Sequence, residues 1–115
     1  NYTARECWRS SFELMVSCEA DLDLALSTVK LALSQVAEIH NDPPIEVEVA
    51  RVAGRLVTVR ALIWHRPEPA ARRAAIDCGV RAAVVELRLA GIELDGPTLL
   101  ELGSTLPNDE VGEPM

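Results

Sequence analysis

The chain has 115 residues, a formal net charge of −7, 49% hydrophobic and 25% charged residues, and only 3% aromatics. That is the composition of one ordinary globular domain whose core is built from Leu, Val, Ala and Ile. The acidic balance lacks the clustered cations that hold nucleic acid or anionic lipid, and three cysteines with no CxxC offer neither a zinc site nor a disulfide framework.

Residues Asn1–Ser10 are polar and irregular, and 1–10 reads as a linker arriving from a preceding domain. Beginning at Asn1 rather than Met, the chain reads as a piece of a longer one. In the next stretch Phe12, Leu14, Val16 and Cys18 alternate with Glu13, Met15, Ser17 and Glu19. Period two predicts a strand with one face buried. From Leu22 the spacing changes to Leu22, Ala25, Leu26, Val29, Leu33 and Val36, the stripe of an amphipathic helix. Asp21 stands at the switch, where a carboxylate can accept from the first free N–H groups of the helix. The helix is expected to fade at His40-Asn41, and Asp42-Pro43-Pro44 stops it.

Ile45, Val47 and Val49 alternate with Glu46 and Glu48, predicting a second strand. Ala53-Gly54-Arg55 supplies a tight turn, and Leu56–Trp64 a third, more apolar and more central strand. His65–Pro69 leads into a second helix, with Ala71, Ala74, Ala75, Cys78, Ala82, Val85 and Leu89 on one face, widened by Ile76, Val80, Ala83 and Leu87. Gly79 costs about 1 kcal/mol relative to Ala inside a helix, which close packing against a neighbour would offset. Gly91 is placed to cap the helix. Ile92–Leu94 resumes an extended chain, Asp95-Gly96-Pro97 turns it, Thr98–Leu102 is one more short strand, and 103–115 is a flexible tail. The expected fold is α+β, a ferredoxin-like βαββαβ sandwich over 11–102: an antiparallel sheet, two helices on one face, and a short C-terminal strand.

The sequence shows no catalytic constellation. His40 and His65 read as solvated, with no serine or cysteine placed as a nucleophile beside them. Glu19, Asp21 and Asp23 lack the glycine and terminal glutamate of a calcium loop and read as helix-start charges. Their acidity also repels the phosphate that a helix N-terminus otherwise attracts. Cys18 and Cys78 fall on apolar stripes and read as core residues. No strand offers solvent-facing aromatics for stacking bases, and Trp64 reads as a core or rim anchor. No enzymatic activity, catalytic residue, cofactor or metal is expected. No apolar run approaches the ~20 residues of a membrane span, and no signal peptide is visible; the fragment itself is expected to be soluble.

The opening segment, NYTARECWRSSFELMVSCEADLDLAL, resembles the junction at which small-conductance mechanosensitive (MscS-like) channels pass from a middle β-domain into a C-terminal α/β domain. Asn1, Tyr2, Thr3, Arg9, Phe12, Val16 and Asp21 match in register. Asp42-Pro43-Pro44, Val59–Trp64 and Ala90–Leu94 resemble the family's break before the hairpin, its Val-Arg-x-x-x-Trp strand and its helix exit. Asn1, Phe12, Asp21, Trp64, Gly91, Ile92 and Pro97 are the matching structural positions. Cys18 stands where the family has tyrosine, and Asp95 where it has the first proline of a Pro-x-Pro turn. The resemblance implies a non-catalytic wall of a cytoplasmic cage in a homo-heptameric membrane channel that releases ions and small solutes under hypoosmotic stress. It implies a place on the cytoplasmic side of the inner membrane, with contact to that membrane only through segments outside this chain. Thr98, Leu99, Leu100, Glu101 and Leu102 would pair between subunits, and an isolated fragment is compatible with a monomer. Two other readings of the same fold remain: a small-ligand-binding regulatory module, and a cation-transporter domain needing His and Asp ligands across a dimer.

Overall fold

A computed structural model describes residues 7–94, in which five elements follow one another: β1 (Trp8–Ser17), α1 (Leu22–Ser34), β2 (Glu46–Ala53), β3 (Leu56–His65) and α2 (Pro69–Leu89). The strands form an antiparallel sheet in the order β1-β3-β2, so the most apolar strand is central, as expected. Beyond α2, Leu94 bridges to Val16 in the antiparallel sense, on the side of β1 away from β3. Asn1, Pro97, the Thr98–Leu102 strand and the 103–115 tail lie outside the described residues.

The period-two reading of β1 places Phe12, Leu14 and Val16 inward. Opposite them stand Ala61, Val59 and Val57 of β3, and all six are buried. The inward face packs on Ala25, Val29 and Leu33 of α1 and on Ala75, Ala83 and Leu87 of α2, so both helices share one face of the sheet. Asp21 caps α1 by accepting from the Leu24 N–H at 3.1 Å. The β2–β3 hairpin turns through Gly54-Arg55, with Gly54 at φ 62° and no positive φ at Arg55. That is the pattern of a type II′ turn, whose first position suits glycine.

Five details depart from the expectations. First, β1 starts at Trp8 rather than after Ser10, because Trp8, Arg9 and Ser10 pair with His65, Trp64 and Ile63 of β3. Second, α1 ends at Ser34 rather than near His40. The chain leaves the helix at Gln35 so that Ile39 can drop into the core and the His40 N–H can donate to the Trp64 carbonyl. Third, β2 carries a bulge between Val49 and Arg51, visible in the sequence as a slip of the apolar phase from Val47 and Val49 to Val52.

Fourth, Cys18 is exposed, since β1 ends at Ser17 and the chain turns away, and Cys78 is half-buried rather than core. Fifth, the buried face of α2 is rotated from the expected one. It runs Ala75, Gly79, Ala83, Leu87, while Val85 and Leu89 are 50% and 75% exposed. Gly79 explains the rotation. A methyl group built there would sit 3.1 Å from Leu33 Cδ2, 3.2 Å from Ile39 Cδ1 and 3.3 Å from Phe12 Cε2. With no side chain at Gly79, the helix can approach this closely on the Ala75-Gly79-Ala83 side.

At its end, α2 closes with Gly91 at φ 82°. The Gly91 and Ile92 N–H groups donate to the Arg88 and Leu87 carbonyls at 3.0 and 2.9 Å. This is the Schellman arrangement, with both Ile92 and Leu87 buried in the core.

Candidate functional site

The buried polar side chains Ser10 and His65 meet at one corner, where β1 begins, β3 ends, α2 begins and the loop after α1 crosses. His65, the last residue of β3, is fully enclosed. Its Nδ1 lies 2.8 Å from the Arg66 carbonyl, which only accepts, so this nitrogen carries the proton. Nε2 is therefore the acceptor, and the Ser10 hydroxyl donates to it at 2.7 Å. Ser10 Oγ in turn accepts from Arg72 Nε at 3.1 Å. Arg72 also lies over the Trp8 ring, 5.0 Å from its centroid. Burial, opposed by the Arg66 carbonyl and aided by the Arg72 and His40 charges, holds the His65 imidazole below its ordinary proton affinity.

His40 sits in the same corner, with the Cys7 thiol 3.3 Å from its Nδ1. On the outer side, Trp64 takes Arg9 over its ring at 5.8 Å. Both histidine expectations need correction. His65 is not solvated and His40 is only half so, and each has a serine or cysteine beside it. Trp64 also alternates to the outer face of the sheet, contrary to the expectation that no strand places an aromatic there. The one available signal was the pairing of Ser10 with β3, hidden because Trp8–Ser10 looked like a linker.

A serine beside a histidine raises the question of nucleophilic catalysis, and the geometry answers against it. An activated serine needs an open face and an oxygen lone pair free for attack. Ser10 is buried, and its hydroxyl is held between the imidazole and a guanidinium. The arrangement ties three elements together.

The outer face of the sheet carries a second cluster. Glu13 of β1 stands opposite Arg60 of β3, which stands opposite Glu48 of β2. Arg60 reaches Glu13 at 3.2 Å and Glu48 at 3.4 Å, and Arg51 reaches Glu13 at 2.8 Å. These are cross-strand ion pairs that fix register. Of the matching positions named from the sequence, Phe12 lies under Gly79, Asp21 caps α1, and Gly91 and Ile92 close α2. Of those among the described residues, only Trp64 belongs to the histidine corner. Among the described residues, no three His, Cys, Asp or Glu side chains are grouped to hold a metal ion, and no helix is long and apolar enough to cross a membrane.

No family model matches the sequence, and no curated protein matches it closely enough to count as a relative. Solved structures do match by shape. Helicobacter pylori MscS in its closed state superposes with a TM-score of 0.62 at 17% identity, over 79% of this chain and 36% of that one. Arabidopsis thaliana MSL1 superposes at 0.65 with 11% identity, over 80% and 35% of the two chains. A second structure, of wild-type AtMSL1, gives 0.62 at 12%, over 80% and 33%. The fold is that of a segment of MscS and MSL1. At these identities the likeness is one of fold, and the chain spans about a third of the channel chains it matches. The resemblance read from Asn1–Leu102 and the likeness in shape point to the same proteins.

Proposed function

We propose that this chain is the C-terminal α/β domain of an MscS-like mechanosensitive channel, serving as a wall of its cytoplasmic cage without catalysis of its own. One observation carries the reading: about four-fifths of the chain superposes on MscS and MSL1, the kind of channel that the Asn1–Asp21 resemblance also points to. In this reading the chain completes its sheet beyond Leu94 as a βαββαβ sandwich. It assembles with six copies of itself and lines a route for ions and small solutes leaving the cell under hypoosmotic stress. Thr98–Leu102 pairs between subunits in the assembled channel.

The test uses the longer protein that contains this chain. Expressed in cells stripped of their own mechanosensitive channels, it should give tension-gated currents in excised patches and rescue survival of a hypoosmotic downshock. An absence of tension-gated current, with the protein present in the membrane, overturns the reading.

A further inference from the structure

The corner around His65 fits a regulatory device better than a site of chemistry. Three elements distant in sequence meet on one imidazole: Ser10 from β1, His65 from β3 and, through Ser10, Arg72 from α2. The chain of donors runs in one direction. Arg72 Nε–H donates to Ser10 Oγ, Ser10 O–H donates to His65 Nε2, and His65 Nδ1–H donates to the Arg66 carbonyl. That order exists only while Nε2 is without a proton.

Add a proton, and Nε2 becomes a donor aimed at the same hydroxyl oxygen that Arg72 already occupies. Two cations then converge on one buried oxygen, and the Ser10 hydrogen loses its acceptor. A buried donor without a partner is costly to the folded state, and like charges in close, dry surroundings more so. Among the described residues, the other groups facing the imidazole carry no negative charge that would relieve this. From the loop after α1 comes His40, with the Cys7 thiol against it, and His40 becomes a further cation when protonated. From β1, Arg9 lies over Trp64, and on the far side Arg66 is paired with Glu68 at 3.1 Å in solvent. Among the described residues, the charges acting on His65 are those of Arg72 and His40, both positive when present.

We propose that the Arg72–Ser10–His65 chain is an acid-released latch: a proton gained by His65 lets the Trp8–Ser10 end of β1 part from the first turns of α2, while the rest of the β1–β3 ladder holds. The inference rests on these hydrogen bonds alone and stands whether or not the chain belongs to a channel.

Amide hydrogen exchange on the 115-residue chain tests it, measured by NMR at about pH 7.5 and about pH 5 and corrected for intrinsic exchange. The expected result is about a tenfold loss of protection at residues 8–11 on acidification, with Leu14 and Val59 unchanged. His65→Gln, neutral at both pH values, should lose this dependence, and His40→Asn should keep it. Equal loss of protection along the whole of β1, no loss at all, or abolition by His40→Asn would overturn the latch. Should His65→Gln fail to fold, the wild-type imidazole signals decide: His65 titrating at or above the ordinary histidine value overturns it, and titration below that value together with the local loss of protection supports it.

Discussion

At the scale of single residues, the thiols and the Ser10 hydroxyl give the sharpest expectations. Cys7 is buried, and partial burial together with the Glu38 carboxylate raises the proton affinity of the Cys78 thiol. Cys18 is exposed at the end of β1. Since the thiolate is the reactive form and must be reached by the reagent, Cys18 should alkylate first. Mass spectrometry of iodoacetamide-treated native protein should show one adduct, on Cys18, before the other two thiols react. Ser10→Ala removes the acceptor of Arg72 and the donor of His65 together. Leaving buried polar groups unmade costs about 1–3 kcal/mol, so urea denaturation near neutral pH should show a loss in that range. None of this could be read from the sequence, because hydrogen bonds between residues 10, 65 and 72 exist only once the register of β1 on β3 is known. A serine and a histidine 55 positions apart carry no local signal.

Elements were far more legible than residues, because periodicity reports burial directly. The alternation of Phe12, Leu14 and Val16, the turn at Gly54 and the cap at Gly91 are all where local pattern puts them. The errors came where tertiary contact chose between near-equal local options. On α2 almost every face is apolar or alanine, so the pattern alone could not fix its rotation. The closest contact did, by selecting the Ala75-Gly79-Ala83 side. Two pairs of substitutions check this. Leu87→Ala should cost about 2–5 kcal/mol in denaturant unfolding, whereas Leu89→Ser should lie within about 0.5 kcal/mol of wild type. At Gly79, alanine gains about 1 kcal/mol of helix propensity, which the shift of three side-chain ends offsets. Valine places further methyl groups against Leu33, Ile39 and Phe12 and should destabilise by about 2 kcal/mol or more. The β2 bulge was missed for a related reason: the phase slip at Val52 is one residue long, too short to outweigh the alternation before it.

For the molecule as a whole, the pH dependence of stability follows from His65. Its folded-state proton affinity is lowered while the unfolded chain keeps an ordinary imidazole, so the unfolded chain binds the proton more readily. Stability from this group is fully present above about pH 6.5 and is lost as pH falls below that value toward the folded-state titration. Thermal melts should therefore show Tm dropping through that window in the wild type and a smaller drop in His65→Gln.

The bridge between Val16 and Leu94 has a mechanical consequence. Strand β1 begins at Trp8, and the chain returns to the same strand at its other end, where Leu94 lies beside Val16. A pull between those two points runs along β1, parallel to the strand and across its ten paired positions with β3. Bonds perpendicular to such a pull share the load together, rather than opening one at a time as a zip would. Stretched between Trp8 and Leu94, the described residues would hold as a rigid link until the ladder sheared. The corner at Trp8–Ser10 is where that load first enters.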